Sequence, residues 1–254
     1  MELYSSKLIS GSSHAFFTRH HGIKKSDIIA LQKSGLSEIS VSTNKNLEYI
    51  SNYFNVSTSD LIFLAQNHSN NCLTLDRNTI FKKWDFRPTI FDGDAMVSNV
   101  KGKVLCITTA DCVPILLVDK KRNIAGAVHS GWRGAFHGIV ENTVEAFKNL
   151  GSNKKDIVGV IGPAISKSVY EVQSDFISKF KNQSPNETQF FEFGENTTFD
   201  LPGFVASKLK NQGITNIGKL SECTFINEKK YFSHRRSTIR GGFETGRQIS
   251  AIKV

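Results

Sequence analysis

The chain of 254 residues is 39% hydrophobic and 22% charged, with a formal net charge of +9 at pH 7. This composition is typical of a globular protein long enough to bury a sizeable core. No apolar run is long enough to cross a membrane, and the opening "MELYSSKLISGSSHAFF" lacks the apolar segment of a signal peptide, so we expect a soluble, cytoplasmic protein without a membrane partner. The lysines are scattered in ones and twos, which favours a solvated basic surface whose field can also attract a small anionic substrate.

The clearest predicted elements lie in "GKVLCITTADCVPILLVDKKRNIAGAVHS". Apolar runs separated by turn residues predict three strands, which we expect to be adjacent in one sheet. The strands are Val104–Thr108, Val113–Val118 and Ile124–Val128, with turns at Ala110–Cys112 and Lys120–Asn123. Apolar residues at helical spacing then predict a helix from about Ala135 to Leu150, which Gly151 ends.

The second half of the chain predicts further strands and one well-capped helix. "DIVGVIGPAI" is typical of a buried strand, whereas Lys181–Thr198 is polar and predicts an irregular loop. "FDLPGFVASKLKNQG" predicts a helix with Asp200 as its N-cap and Gly213 at its C-terminus. We also expect strands at "ECTFI", "KYFSH" and "SAIKV". The irregular alternation indicates an α+β class and a single domain over residues 1–254.

Several common kinds of site are excluded by motif. Four cysteines without a CxxC pair argue against a disulfide scaffold and a zinc ribbon, and we interpret Cys72, Cys106 and Cys223 as structural. Neither GxGxxG nor GxxxxGK[ST] occurs, so the sequence signals no dinucleotide or P-loop site.

Metal-ligating side chains follow or interrupt apolar strands in three places. They are His68 in "AQNHSNNC", Cys112 in "TTADCVPI" and His129 in "AVHSGWRG". Two imidazoles and a thiolate are good zinc ligands, and they leave a fourth position for water or substrate. Spacing alone leaves the alternative open, namely a capped loop histidine, a buried turn thiol and a core histidine.

The segments "AQNHSNN", "GDAMVSN", "TADCVPILLVD", "AVHSGWRG", "IGPAISKSVYEV" and "SHRRS…TGRQ" resemble the laccase-domain family. Its YfiH-type members are also called multicopper polyphenol oxidoreductases and purine nucleoside phosphorylases. The resemblance runs from "FFTRHHG" to the C-terminus. It implies a single domain with a layered α/β/β/α fold and mixed sheets, which is YfiH-like and cytotoxic necrotizing factor-like.

The resemblance also implies a Zn²⁺ site with His68, Cys112 and His129 as ligands, and Cu²⁺ is the alternative metal. The implied activity is the cleavage of adenosine, inosine, guanosine and 5′-methylthioadenosine by inorganic phosphate, giving the free base and ribose 1-phosphate. An adenosine deaminase activity would accompany it.

For this chemistry we consider Cys112, His129 and Asp111 as catalytic candidates. Asp111 would orient a metal ligand or protonate a purine nitrogen, and its alternative role is an Asx-type turn bond. Guanidinium groups suit phosphate, and the motif segments supply five of them: Arg19, Arg133, Arg235, Arg236 and Arg247. For Arg235 and Arg236 the alternative is a pair of surface charges. We attribute the glycines of "SGWRG" to the approach of an anion.

Four other residues have two interpretations each. His21 stands where the family's Thr-Arg-x-Gly-Gly motif has its first glycine, and it would be strained if that position needs a positive φ. Trp132 either stacks on a base or covers the core, and we favour the core. We expect His137 to lie on a helix face rather than to bind metal. Asp94 is either a partner of a metal ligand or a turn residue.

Three rival functions remain. In a Cys–His hydrolase or deamidase, Cys112 would be the nucleophile and His129 its base, and His68 would not be needed. A copper-dependent polyphenol oxidoreductase would need further clusters built from H-x-H pairs, and none occurs among the seven histidines. The net charge suggests a nucleic-acid binder, but no RNA- or DNA-binding signature is present.

Overall fold

The structure is a computed structural model that describes residues 3–33, 39–81, 88–242 and 246–254. The strands are β1 (Leu3–Tyr4), β2 (His14–Phe17), β3 (Ile23–Lys24), β4 (Leu61–Ala65), β5 (Cys72–Leu75), β6 (Thr89–Asp92), β7 (Ala95–Ser98), β8 (Val104–Thr109), β9 (Val113–Asp119), β10 (Ile124–Ser130), β11 (Ile157–Ile161), β12 (Phe191–Glu192), β13 (Thr198–Phe199), β14 (Ile217–Lys219) and β15 (Gly246–Lys253). The α-helices are α1 (Lys25–Lys33), α2 (Val41–Phe54), α3 (Trp132–Phe136), α4 (Ile139–Asn149), α5 (Ser174–Gln183), α6 (Leu201–Asn211) and α7 (His234–Ile239). Among the residues described, no helix combines the length and apolar character that a membrane span requires.

Two mixed sheets form the centre of the fold. In the first sheet the strand order is β1-β2-β15-β8-β4-β6, and β3 also pairs with β15. In the second sheet the order is β14-β11-β9-β10-β7-β5. Each sheet combines parallel pairs, such as β4 with β8 and β5 with β7, with antiparallel pairs, such as β15 with β8 and β10 with β9. The expectation of mixed sheets is confirmed.

The apolar side chains form three layers of core because successive residues of a strand point to opposite faces of its sheet. In β4, Leu61 and Phe63 pack against α2, whereas Ile62 and Leu64 face the second sheet. The outer face of the second sheet packs against α4, α5 and α6. The resulting order of layers is α/β/β/α, as expected from the resemblance.

The predicted strands at residues 104–128 are confirmed, but their expected adjacency in one sheet is wrong. Strands β9 and β10 are antiparallel neighbours in the second sheet, whereas β8 belongs to the first sheet. The chain therefore crosses from one sheet to the other at Ala110–Cys112. Asp111 occupies this crossing with φ of 92°, a conformation that a non-glycine residue adopts at a cost.

Two further sequence predictions, one helix and one loop, need correction. The helix expected from Ala135 to Leu150 is two helices, α3 and α4, because Gly138 between them has φ of 95°. The expected loop at Lys181–Thr198 contains the end of α5, a 3₁₀ helix (Pro185–Phe190) and strand β12.

The stretches "ECTFI" and "KYFSH" are not strands. They form turns and the start of α7, with a single isolated bridge from Cys223 to Ala164. By contrast, the helix capped by Asp200 is confirmed as α6, since the side chain of Asp200 accepts a bond from the N–H of Gly203. The strand at "SAIKV" is confirmed as the end of β15.

The sheets approach each other closely beside the crossing, and Gly162 makes this approach sterically feasible. A Cβ atom at Gly162 would overlap the ring of Phe16 and lie 2.9 Å from Cγ of Pro114. We expect Gly162→Ala to destabilise the fold by about 1–3 kcal/mol through overpacking, as measured by urea-induced unfolding.

The matched control is Gly194→Ala. A Cβ atom there would meet only a carbonyl oxygen at 3.9 Å, so we expect a change within about 0.5 kcal/mol. Equal unfolding midpoints for the two variants would contradict the packing explanation.

His14, the first residue of β2, predicts a pH dependence of stability. Its buried ring donates from Nδ1 to the carbonyl of Ser12 and accepts from the N–H of Ser6, each at 2.8 Å, which fixes the neutral form. Burial lowers the pKa of His14 below the 6.5 of an unfolded chain. The unfolded state therefore binds the proton more readily, and stability is lost as the pH falls below about 6.5.

We expect the loss of unfolding free energy between about pH 7.5 and about pH 5.5 to be smaller in His14→Gln than in the wild type. His20→Gln, in which an exposed ring is replaced, should keep the wild-type pH dependence. If His14→Gln also keeps it, the neutral buried imidazole is not its source.

Candidate metal centre

Three side chains from three parts of the chain converge where β4, β8 and β10 end. The ligand atoms of His68, Cys112 and His129 all lie within 4.8 Å of one another. Sγ of Cys112 is 3.6 Å from Nε2 of His68, and the two imidazole rings are 4.8 Å apart at an angle of 76°. His129 is buried, Cys112 is half-buried and His68 is exposed, so the cluster opens to solvent on the side of His68.

The carboxylate of Asp94, in the turn between β6 and β7, fixes the loop that carries His68. It is fully buried and accepts the backbone N–H groups of Asn67 at 3.3 Å, His68 at 3.0 Å and Ser69 at 2.7 Å. The hydroxyl of Ser69 donates a further bond at 2.7 Å. Together these bonds hold His68 at φ of 65°, in the left-handed region that non-glycine residues seldom occupy.

The same carboxylate orients His129. Nδ1 of His129 lies 2.7 Å from Oδ1 of Asp94, and its backbone N–H donates to the carbonyl of Asp94 at 2.8 Å. Because an ionised carboxylate can only accept, Nδ1 carries the proton in this pair. Nε2 is then the nitrogen available to a metal, in the arrangement common for metal-bound histidines.

Gly131, the residue before α3, leaves room for the other two ligands. A Cβ atom there would lie 2.7 Å from Cδ2 of His68 and 3.1 Å from Sγ of Cys112. This glycine was expected to allow the approach of an anion, but in the structure the ring of His68 occupies the space. Gly131 therefore serves the packing of the ligands.

The charges of the cluster favour a thiolate. Burial alone would raise the pKa of Cys112, but the charge of His129 and the hydrogen bonds from His129 and His68 lower it to about 6. Burial would lower the pKa of His129, whereas the charge of Cys112 and the bond to Asp94 raise it to about 9. Burial likewise would raise the pKa of Asp94, yet its bonds from His129 and Ser69 lower it to about 2.

The separation of one pair of these side chains has the value that a tetrahedral zinc site requires. Zinc binds sulfur at about 2.3 Å and imidazole nitrogen at about 2.1 Å, so two such ligands stand about 3.6 Å apart. The Cys112–His68 separation of 3.6 Å has that value. Among the described ranges, no other group of three histidine, cysteine or carboxylate side chains converges in this way.

Asp111, the neighbour of Cys112, lies beside the cluster with both carboxylate oxygens engaged. One accepts the hydroxyl of Thr224 at 2.7 Å, and the other accepts the hydroxyl of Ser233 at 2.9 Å and the N–H of Arg235 at 2.7 Å. These bonds tie the C-terminal motif "SHRRS" to the sheet crossing. They match a structural role for Asp111 more closely than proton donation.

Arg133 and Arg247 are two of the five candidate phosphate ligands. Arg133 is exposed at the start of α3, with its guanidinium 4.8 Å from the ring centroid of Trp132. Arg247 is half-buried, and burial lowers its pKa while the charges of Cys112 and Asp111 oppose that change. The charge of Cys112 thus acts on Arg247, and Arg133 lies two residues after Gly131, which packs against His68 and Cys112.

Arg235 and Arg19 have protein partners but keep further donors. The guanidinium of Arg235 donates to the carbonyl of Glu171 at 3.1 Å and to its carboxylate at 2.9 Å. Arg19 donates to the carbonyl of Glu228 at 2.8 Å and lies over the ring of Phe232 at 4.7 Å. A guanidinium has five N–H groups, so neither residue is saturated by these contacts.

The guanidinium of Arg236 is bonded within the protein and is not available to bind phosphate. It is buried and donates to the carbonyls of Thr224 and Phe225 at 2.8 Å and of Tyr231 at 2.6 Å. Arg236 therefore organises the turn before α7. Because it is buried, it is not a surface charge either, which was the alternative considered from the sequence.

The concern about His21 does not apply, because its backbone is not in the positive-φ region. The ring of His21 stacks on Tyr49 at 3.8 Å. The position in this motif that leaves no room for a side chain is Gly22. A Cβ atom there would lie 2.5 Å from the carbonyl oxygen of Arg247 and 2.6 Å from the ring of Phe232.

The indole of Trp132, in the turn beside the cluster, contributes mainly to the core, which is the interpretation that the sequence favoured. Trp132 packs edge-on against Phe176 at 4.6 Å. His137 caps the C-terminus of α3, and its Nε2 lies 3.4 Å from Nζ of Lys179, outside the metal cluster.

Comparisons with known proteins identify the family of this chain and relatives that cover most of its length. Residues 13–254 match the sequence model of the family described as multi-copper polyphenol oxidoreductase laccase. A purine nucleoside phosphorylase of Rickettsia prowazekii is 34% identical over 234 residues, which cover 91% of this chain and 86% of that protein. Another, from Clostridium acetobutylicum, is 32% identical over 211 residues and covers 82% of both chains.

Solved structures share the fold. The crystal structure of the hypothetical protein YfiH of Bacillus licheniformis is 27% identical and has a TM-score of 0.79, covering 96% of this chain and 93% of that one. YlmD from Geobacillus stearothermophilus, at 24% identity, has a TM-score of 0.78 and covers 98% and 93%. The single-domain, mixed α/β architecture is therefore that of these proteins.

The role of Asp94 yields a prediction. Asp94→Asn keeps the size of the side chain but weakens its hold on His129 and on the loop of His68, so we expect the affinity for Zn²⁺ to fall about 10- to 100-fold. The measurement is competition with a chromophoric chelator.

Asp92→Asn, in which an exposed carboxylate at the end of β6 is altered, is the matched control and should bind metal like the wild type. Circular dichroism of both variants separates a loss of metal affinity from a loss of fold. Unchanged affinity in folded Asp94→Asn would show that the ligands do not depend on this carboxylate.

Proposed function

Because the chain belongs to the multi-copper polyphenol oxidoreductase laccase family, we propose that it is a zinc-dependent purine nucleoside phosphorylase. The relatives named purine nucleoside phosphorylase support the reaction. The observation that carries the proposal is the convergence of His68, Cys112 and His129 with Asp94 behind them. Its substrates would be adenosine, inosine, guanosine and 5′-methylthioadenosine, together with inorganic phosphate.

The proposed reaction displaces a purine from ribose. A phosphate oxygen forms a bond to C1′ while the bond from C1′ to N9 breaks, and its electron pair leaves with the base, which takes up a proton. The products are the free base and ribose 1-phosphate. The protein has to bind the phosphate, orient it towards C1′ and stabilise charge that develops in the transition state.

The residues around the cluster can meet these requirements. We assign phosphate binding to Arg133, Arg235, Arg247 and Arg19, since guanidinium groups suit phosphate. The proposal gives Arg236 no contact with phosphate, because its guanidinium already binds backbone carbonyls.

His68, Cys112 and His129 would hold the metal, with Asp94 fixing the proton of His129 on Nδ1. A bound zinc supplies a Lewis acid that orients and activates an oxygen nucleophile. We propose zinc because two imidazoles and a thiolate suit it, and copper is the alternative that the same ligands accept.

We further propose that the site deaminates adenosine to inosine. Adenosine would bind in a second orientation, with C6 of the purine rather than C1′ of the ribose directed at the nucleophile. The oxygen of a water molecule would bond to C6 while the bond from C6 to N6 breaks, and N6 would leave as ammonia. Release of ammonia from adenosine without added phosphate is the measurement that separates this activity from phosphorolysis.

One observation favours a second candidate, a Cys–His hydrolase or deamidase. The lowered pKa of Cys112, about 6, is what a nucleophilic thiol needs as well as what a metal ligand needs. The two functions differ in their use of His68, which a dyad of Cys112 and His129 does not require.

His68→Ala is therefore the decisive variant. We expect the wild type to contain about one zinc per chain and to release hypoxanthine from inosine only with phosphate, since three protein ligands are needed for a catalytic zinc site. His68→Ala should lose both the metal and the phosphorolysis. Elemental analysis and a coupled assay on identically purified samples measure these two properties.

His137→Ala is the matched control, since that exposed histidine lies outside the cluster, and it should keep metal and activity. A metal-free wild type, or full phosphorolysis by His68→Ala, would falsify the zinc-dependent function. Either result would move the proposal to a thiol nucleophile at Cys112.

A further inference from the structure

Tyr170 is a polar residue near the cluster that sequence reasoning did not single out. It follows a 3₁₀ helix (Lys167–Val169) and is half-buried. Its ring packs 6.3 Å from the ring of Phe199. Across the described ranges no hydrogen bond of its hydroxyl is found, and the hydroxyl is not among the fully buried atoms that lack a partner. The ring is therefore held by the core, while the hydroxyl is accessible to another molecule.

Hydrogen bonds fasten the segment of Tyr170 to the metal-ligand side of the fold at both ends. The N–H of Ile165 donates to the carbonyl of Asp111 at 3.0 Å. The guanidinium of Arg235 donates to the carbonyl and the carboxylate of Glu171, and the backbone N–H of Arg235 donates to the carboxylate of Asp111. Because Asp111 adjoins Cys112, residues 165–171 are fixed beside the cluster.

Four charged groups act on the hydroxyl of Tyr170. Cys112 and Asp111 act on it as anions, and Arg235 and Arg133 act on it as cations. Burial raises the pKa of Tyr170, so the hydroxyl keeps its proton at neutral pH and can donate. A hydroxyl donor on a segment that is bonded to Arg235 and to the sheet crossing at Asp111 is suited to an oxyanion bound there.

We infer that the hydroxyl of Tyr170 donates a hydrogen bond to the phosphate that Arg133 and Arg235 bind. This inference rests on the proposed function, because it assigns Tyr170 to the phosphate rather than to the nucleoside. The packing on Phe199 needs only the ring, so Tyr170→Phe removes the donor and leaves the core intact.

The test is the steady-state kinetics of inosine phosphorolysis with each substrate varied. A hydrogen bond to a charged group is lost in Tyr170→Phe, so we expect the KM for phosphate to rise about 10- to 100-fold. The KM for inosine should stay within about threefold of the wild type, and kcat should fall less than the KM for phosphate rises. A residue that served packing alone would not separate the two KM values.

The matched control is Tyr53→Phe on α2, whose hydroxyl makes a 3.4 Å bond to the carbonyl of His14, away from the cluster. It should leave both KM values unchanged. An unchanged KM for phosphate in Tyr170→Phe, or a rise confined to the KM for inosine, would overturn the inference while the phosphorylase function stands.

Failure of the proposed function is distinguished by the wild type, which would then release no base in the presence of phosphate. In that case calorimetric titration of inorganic phosphate into the wild type and Tyr170→Phe decides the inference. Weaker binding by the variant supports Tyr170 as an anion ligand, and equal binding, or none to either protein, overturns it.

Discussion

The buried carboxylate of Asp94 is the interaction on which the site depends. It satisfies three consecutive N–H groups of the loop 67–69 and the imidazole Nδ1 of His129 at the same time. A buried carboxylate is costly unless it is hydrogen-bonded in this way, and the lowered pKa of Asp94 shows that its partners more than offset the burial. One side chain thereby sets the positions of two of the three candidate metal ligands.

Asp111 has the corresponding function for the other half of the site. It lies where the chain crosses between the sheets, and it binds Thr224, Ser233 and the backbone of Arg235. The two aspartates thus attach distant segments to the same point: Asp94 attaches the loop after β4, and Asp111 attaches the C-terminal motif. The two sheets form the rigid part of the fold, and the two carboxylates hold the loops and side chains of the site close together.

Much of the fold follows from the sequence because its strands carry apolar residues that need burial. The run from Val104 to Val128 predicted its three strands, but not that β8 and β9 lie in different sheets. Pairing partners depend on contacts far apart in the chain, which local pattern does not encode. Likewise "ECTFI" and "KYFSH" have strand-like composition, yet their backbone is organised by Arg236 and Asp111 instead.

The cluster was predicted from motifs, and a role for Asp94 as a partner of a ligand was one of two open interpretations, but two other contributors to the site were not predicted. His68, Cys112 and His129 are recognisable by their chemistry, and the resemblance brought them together before any geometry was known. The role of Gly131 could not be foreseen, because it depends on where the ring of His68 packs. Tyr170 was missed for a similar reason, since an aromatic residue in an apolar segment gives no signal that its hydroxyl is unpartnered.

The conformation of His68 supports the proposed metal site over the thiol nucleophile that the charges also permit. A thiolate at Cys112 stabilised by His129 serves a metal and a nucleophile equally well. A left-handed non-glycine residue costs on the order of 1–3 kcal/mol and persists only where the surroundings impose it. Here Asp94 imposes it, at φ of 65°, and the result is that Nε2 of His68 stands 3.6 Å from the sulfur. A Cys–His dyad would gain nothing from this cost, whereas the proposed metal would gain a third ligand.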